Sequence, residues 1–438
     1  MALKLELLPD QKDALKFCLE SPYSILALEM GMGKSGVGLA IFDRLKSPFL
    51  LIVCPAGLID NWIDEINKFL FTEKITITVF RSNAEVHFPF DSHIVIASYD
   101  IAKNHKILFD WANAVILDEA TEVKSMEAKR SESIHQYIYE SQVPRVHLLT
   151  GTPIKNRVRE LYSLISICNY NPRLPDVSDF LKKFPNEIAF AEYFSNRKEF
   201  DKFNPDTGRV VHVIQWEGIK EKNYNELKSL LKGIYFHRKS KMPPVEEIDV
   251  WVKDSDHSIS DRLLLDLENF VDEKSGVTSG VKAQAALQMA PITCEYVKSL
   301  KSTKNAPDGL PRGPLIVFTD HKESCELIAK ELGTKALHGE VSVKVRHEYA
   351  RAFQRGELPF LVATTGCFKA GYTLTKGNEI ILNDPPWVTG DLSQLKYRIN
   401  RYSQTRKCYI HFMLGTSQAE YIFKVLGKKQ IVIDRVTN

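Results

Sequence analysis

Six short apolar runs punctuate the first 165 residues: "SILALE", "FLLIVCP", "ITITVF", "IVIAS", "AVILDE" and "RVHLLTG", alternating with stretches of helical spacing. Runs of this length, apolar at nearly every position, predict strands buried on both faces. Their alternation with helices predicts a doubly wound, mostly parallel α/β sheet. A second series follows near the end of the chain: "PLIVFTD", "TKALHG", "FLVATT", "NEIILND" and "CYIHFML". Between the two series the pattern turns mainly helical, as in "NYNELKSLLKGIYFHRKS" and "SDRLLLDLENFVDEKSG". The clearest linker is Ser302 to Pro314, "STKNAPDGLPRGP", with its prolines and glycines. The expected organisation is an α/β unit over 1–165, a mainly helical insertion and linker over 166–300, and a second α/β unit with a C-terminal helix over 301–438. A chain of 438 residues exceeds what one core supports, which agrees with such a division.

The first run leads into "LALEMGMGKSGVG". Its end, Gly33-Lys34-Ser35, closes a phosphate-binding pattern, G-x-x-x-x-G-K-[ST], but Leu28 occupies the place of the first glycine. The tripeptide alone arises by chance in roughly one chain in five of this length. Its context carries more weight: a strand, a glycine loop and a helix in that order are what the motif requires. Backbone N–H groups over Met30, Gly31, Met32 and Gly33 would face phosphate oxygens at the positive end of the following helix. Lys34 would reach the β- and γ-phosphates and Ser35 would place its hydroxyl on magnesium. Further along, "NAVILDEATEV" ends a strand in Asp118-Glu119. Acids at the carboxyl end of a parallel strand stand beside such a loop, Asp118 to hold magnesium and Glu119 to orient and deprotonate water. Arg398 and Arg401, three residues apart, are expected on one helix face. Framed by Gln394 and Gln404, the pair resembles motif VI of helicase cores, a resemblance that implies an arginine finger at Arg401 and a phosphate contact at Arg398.

Composition narrows the class only slightly. No segment offers about 18 uncharged apolar residues, so no membrane span is expected. The start, "MALKLELLPDQKDALK", lacks the apolar core of a secretory signal. Seven cysteines are scattered without a C-x-x-C pair. That argues against a zinc site or metal cluster and fits a reducing compartment, the cytoplasm or a nucleus. A net charge of +3 permits a phosphate-rich partner while demanding that any basic surface be local. His321, His338 and His347 show no ligand spacing, and Trp62 and Trp387 read as core.

Taken together, these segments resemble a superfamily-two helicase core, specifically the Swi/Snf-like group of DNA translocases. "LLPDQKDAL" resembles the Q-motif region and "ALEMGMGKS" motif I, which in that group also lacks the first glycine. "LIVCPAGLIDNWIDEINKF" resembles motif Ia, "VIASYD" motif Ib, "LDEATEVKS" motif II and "LLTGTPIKN" motif III. "PLIVFTDHKES", "LVATTGCFKAGYTLT" and "QLKYRINRYSQT" resemble motifs IV, V and VI. Three departures stand out. Thr121 replaces the usual histidine that links the ATP site to motif III. Phe368-Lys369 replaces a glycine pair in motif V. Arg401-Tyr402-Ser403-Gln404 replaces R-I-G-Q in motif VI.

The resemblance implies two RecA-like lobes, each a doubly wound parallel sheet, closing over ATP and Mg2+ to drive movement on DNA. It places Gln11 against adenine and gives Thr121, Thr150, Gly151, Thr152 and Gln404 coupling roles. It assigns DNA backbone contact to Pro55, Asn61, Ser98, Lys155, Thr364 and Thr365, contacts that would carry no sequence information. The basic run "YFHRKSK", Tyr235 to Lys241, resembles the group's R-x-K block, and "NRVRE" near 156–160 reads equally as a solvated surface. No accessory extension is apparent in the sequence. The implied activity is therefore that of a compact motor on branched or forked duplex DNA, resembling fork-remodelling and annealing helicases and small branch-migration helicases of T-five-type tailed phages. Both lobes would complete one ATP site within one chain, so a monomer suffices. The alternatives are a duplex translocase that displaces bound proteins, an RNA helicase, against which motifs Ia and III argue, and a non-hydrolysing ATP-gated clamp, against which the intact acids and arginines argue.

Overall fold

The computed structural model describes residues 3–45, 49–86, 93–126, 128–154, 157–169, 177–204, 209–240, 242–252, 276–368, 372–386, 388–401, 403–415, 426–427 and 429–436. The chain forms two compact units. The first comprises Met1–Lys198, Gln215–Ser240 and Val432–Asn438, and the second Glu199–Ile214 and Lys241–Ile431.

In the first unit all six expected runs are strands: β1 (Tyr23–Leu28), β2 (Leu50–Cys54), β3 (Ile77–Phe80), β4 (Ile94–Ser98), β5 (Ala114–Asp118) and β6 (Val146–Leu149). The central ones are buried along their whole length, which is why they read as continuous apolar runs. The chain then forms β7 (Asn196–Asn204) and β8 (Arg209–Glu217), a separate two-stranded ribbon, and β9 (Tyr235–Arg238). The first sheet has the order β3-β4-β2-β5-β6-β1-β9, and its pairings are parallel. Strand β9 is a correction: the start of "YFHRKSK" is not a helix end, because Tyr235–Arg238 extends the sheet beside β1. Helices cover both faces. Gly38, in the helix Lys34–Leu45, lets that helix lie on the sheet, since a Cβ there would meet Ile116 Cδ1 at 2.8 Å.

The second unit contains β10 (Glu246–Trp251), β11 (Leu315–Thr319), β12 (Ala336–Leu337), β13 (Phe360–Thr364), β14 (Glu379–Leu382) and β15 (Tyr409–Leu414). Their order is β10-β15-β14-β11-β13-β12, again through parallel pairings. The α/β class with two doubly wound sheets is thus observed.

Over its described residues, the intervening section contributes helices to both cores. Helices Val177–Lys183 and Glu187–Phe194, with Phe184 between them, place Phe180, Phe184, Phe190 and Phe194 in the first core. The 27-residue helix Gly276–Ser302 places Met289, Ala290, Cys294 and Val297 in the second. The end of the chain also departs from the linear division: Val436 is buried in the first core, and Arg435 pairs with Glu221. Ser302 to Pro314 is strapped down. Arg312 forms an ion pair with the fully buried Glu379 at 2.8 Å, and Arg406 grips Asp308 through two nitrogens at 2.9 and 2.8 Å.

Candidate nucleotide-hydrolysis site

Register places the first unit's chemistry. Leu26 lies opposite Leu149, and Leu149 opposite Asp118. The carboxyl ends of β1, β6 and β5 are therefore side by side, with strands about 4.8 Å apart. The loop leaving β1, the Thr150–Gly151–Thr152 turn leaving β6 and the Asp118–Glu119 pair closing β5 share one edge, where open α/β sheets bind ligands.

The loop turns sharply. Gly31 and Gly33 have φ of 82° and 74°, backbone that glycine adopts without strain, and the helix begins at Lys34. Lys34 Nζ donates to Leu28 O at 3.0 Å. It also lies against the Gly151 turn, where a Cβ on Gly151 would sit 3.2 Å from it and 2.7 Å from Met30 Cγ. Ser35 and Met32 are half-buried and Gly31 is exposed. Gln11 is buried, and its amide holds the loop: Nε2 donates to Met32 O at 2.9 Å and Oε1 accepts from Leu8 N at 2.9 Å. A Cβ on Gly33 would come within 2.3 Å of that amide.

Asp118 is buried, and its carboxyl is pushed up from 3.8 to about 6, by desolvation first and then by the neighbouring Glu119 charge. Lys34, the Trp62 indole and the Glu119 N–H oppose that rise. Trp62 Nε1 donates to Oδ2 at 2.9 Å and Glu119 N to Oδ1 at 3.0 Å. Trp62 is buried, as the sequence reading expected, and its indole also holds the Asp118 carboxyl, which that reading did not anticipate. No local signal marks a partner 56 residues away. Glu119 has the left-handed φ of 50°, uncommon outside glycine. Its Oε2 is buried without a hydrogen-bond partner, as are Thr121 Oγ1 and Thr152 Oγ1. Thr150 Oγ1 accepts from Thr152 N at 3.1 Å.

The second unit's arginines are organised by motif V. Arg398 Nη1 and Arg401 Nη2 both donate to Tyr372 O, at 3.1 and 2.9 Å, and Arg401 Nη1 donates to Thr373 Oγ1 at 2.8 Å. The shared helix face is corrected: the helix Thr389–Ile399 ends before Arg401, and the carbonyl of Tyr372 brings the two guanidinium groups together. Gln404 Nε2 donates to the carbonyls of Thr375, Gly377 and Ile399, so its amide braces the same loop.

The residues expected at DNA are more scattered. Pro55 and Asn61 are half-buried around the carboxyl end of β2. Ser98 is buried and caps a short helix by accepting from Ile101 N at 3.3 Å. Thr364 and Thr365 are buried, and the Thr365 hydroxyl donates to Asp320. Lys155 and Lys369 lie outside the described residues. In "NRVRE", Arg159 pairs with Glu187 at 3.3 Å and Glu160 with Lys124 at 2.8 Å. Among the described residues no helix is long and apolar enough to cross a membrane.

A phosphate loop, a buried acid whose ionisation wants a cation, and an acid with an unsatisfied oxygen fit a nucleotide's phosphates and a magnesium ion, the equipment of a phosphate-loop hydrolase. The SNF2-related domain matches residues 11–250 and the helicase conserved C-terminal domain matches 298–403, so the chain belongs to the SNF2-related family. The SWI/SNF-related matrix-associated actin-dependent regulator of chromatin subfamily A-like protein 1 of Drosophila melanogaster is 23% identical over 98% of this chain and 56% of its own length. The DNA annealing helicase and endonuclease ZRANB3 of Homo sapiens is 24% identical over 100% of this chain and 41% of its own. The putative ATP-dependent helicase/translocase YwqA of Bacillus subtilis is 23% identical over 96% of this chain and 47% of its own. The chain thus spans about half the length of these relatives. The Sulfolobus solfataricus SWI2/SNF2 ATPase core in complex with dsDNA is 20% identical, with a TM-score of 0.44 over 99% of this chain and 94% of that one.

Proposed function

We propose that the chain is an ATP-dependent DNA motor that remodels branched duplex DNA. The observation that carries the hydrolytic part is the shared edge of β1, β5 and β6, with the buried, unpartnered Oε2 of Glu119 beside Asp118. Lys34 and the N–H groups at the start of its helix bind the phosphates. Ser35 and Asp118 would hold a magnesium ion, which would supply positive charge to the phosphate oxygens. Glu119 orients a water and accepts its proton. Arg401 and Arg398, preorganised on Tyr372 O, supply countercharge that is typically worth 10³ to 10⁵ in rate. Gln11 keeps the loop in its binding conformation through Met32 O. Both units are needed for turnover, and repeated turnover moves the chain along the DNA backbone. Backbone contact makes binding salt-dependent and indifferent to sequence.

The choice of branched DNA is supported by the relatives named as annealing helicases. The test is the ATPase rate with no DNA, linear duplex, single strand, a fork and a four-way junction, followed by strand separation on the last two. Stronger stimulation by fork and junction than by linear duplex, with strand separation, supports remodelling of branches. Equal stimulation by plain duplex without strand separation refutes it in favour of a translocase that displaces bound proteins.

A further inference from the structure

The acid turn that carries Glu119 is held from behind. Glu119 sits at φ 50° and ψ 53°, a conformation that persists only where surrounding contacts over-determine it. Thr121, whose place was expected to join this turn to the Thr150–Thr152 segment, makes no hydrogen bond through its buried Oγ1. The joint is found three residues on. Lys124 Nζ meets Glu160 Oε1 at 2.8 Å, with the glutamate side chain only 9% exposed and the lysine 35%. Glu160 closes the turn Val158–Glu160, directly before the helix Leu161–Asn169. From that helix Ser163 donates to Val123 O, and its Oγ lies 3.0 Å from His135 Nε2. Two adjacent residues of the acid turn, Val123 and Lys124, are thus fixed to the segment that follows β6. On the other side, Arg130 pairs with Glu122. His135 is kept neutral by burial, its pKa pushed down to about 3, so the fixation does not switch near neutral pH.

We infer that Lys124 and Glu160 form a positioning pair for hydrolysis: by tying the acid turn to the Val158–Glu160 turn, with Ser163 alongside, they hold Glu119 in its left-handed conformation and aim its carboxylate at the reacting water. The inference rests on the ATPase reading above. Neither residue belongs to the nucleotide-binding edge, so the pair acts on the rate of the chemical step and not on ATP capture.

The experiment measures kcat and KM for ATP, with saturating DNA, in Lys124→Met, Glu160→Gln, the charge-reversed pair Lys124→Glu with Glu160→Lys, and Ser163→Ala, together with thermal unfolding. The single charge variants should lose roughly tenfold in kcat with KM held within a factor of about two. The reversed pair should recover most of that loss, and Ser163→Ala should lower kcat by a smaller factor in the same direction. A purely structural role predicts a lower unfolding temperature with kcat intact. That result, or a reversed pair no better than the worse single variant, overturns the inference. If a charge variant fails to fold, Ser163→Ala decides: a wild-type kcat overturns the inference and a reduced kcat at constant KM supports it. Absence of ATPase in the wild-type chain, or full activity in Glu119→Gln, would instead sink the motor reading.

Discussion

Asp118→Asn should separate stability from activity. The folded chain raises this carboxyl from 3.8 to about 6, through desolvation and the adjacent Glu119 charge. A raised acid pKa means that the fold binds the proton more tightly than the unfolded chain does. The group's favourable contribution is therefore fully present below pH 3.8 and lost as pH rises through about 6. Converted at the usual free energy per pKa unit, the ionised carboxylate costs the fold roughly 1–2 kcal/mol at pH 5 and about 3 kcal/mol at pH 8. Asparagine carries no charge and escapes this cost. Its amide can satisfy only one of the two donors that face the carboxylate, Trp62 Nε1 and Glu119 N, which returns about 1–2 kcal/mol. The net expectation is a variant more stable than wild type by about 1–2 kcal/mol at pH 8, its relative stability rising by about 1–2 kcal/mol between pH 5 and pH 8. Its ATPase should fall by at least about 100-fold, because a metal-holding acid has gone. The assay is urea unfolding in chelator-treated buffer across that pH range, followed by tryptophan fluorescence. A variant whose relative stability is flat with pH, or declines as pH rises, refutes the reasoning.

Other substitutions probe neighbouring parts of the account. Trp62→Phe removes the indole donor from Asp118, so the carboxyl should rise further and the pH dependence of unfolding in chelator-treated buffer should move to higher pH; an unmoved dependence contradicts the assignment. Gly33→Ala combines a φ of 74° with a Cβ 2.3 Å from the Gln11 amide, and should weaken ATP binding by about tenfold or more in a nucleotide titration. Arg312→Leu removes the ion-pair partner of the fully buried Glu379 and should destabilise the second unit by about 3–5 kcal/mol, while Arg312→Leu with Glu379→Leu recovers much of it in chemical denaturation.

The strands of both sheets were legible because parallel strands buried on both faces announce themselves as apolar runs. Strands β9 and β10 were not: Tyr235–Arg238 and Glu246–Trp251 are half-exposed edge strands, and a strand of that kind carries little periodic signal. The phosphate loop and Asp118-Glu119 were readable because their chemistry lies in contiguous residues. What escaped depends on long-range contact. Trp62 reaches Asp118 across 56 residues, and the tail around Val436 returns to the first core. Arg398 and Arg401 converge through the carbonyl of Tyr372 and not through helical spacing. The expected division at 165 and 300 followed the local pattern of strand-like and helix-like runs, whereas the described helices between them pack into both cores through their aromatic and aliphatic faces.

The central claim is that Glu119 and the arginines of the second unit serve one DNA-dependent ATPase. The most direct measurement is steady-state ATP hydrolysis with and without duplex DNA for the wild type, Glu119→Gln and Arg401→Ala. The account predicts DNA-stimulated turnover in the wild type and a loss of about 10³-fold or more in each variant at little-changed nucleotide affinity. Hydrolysis that ignores DNA and survives both substitutions would contradict it.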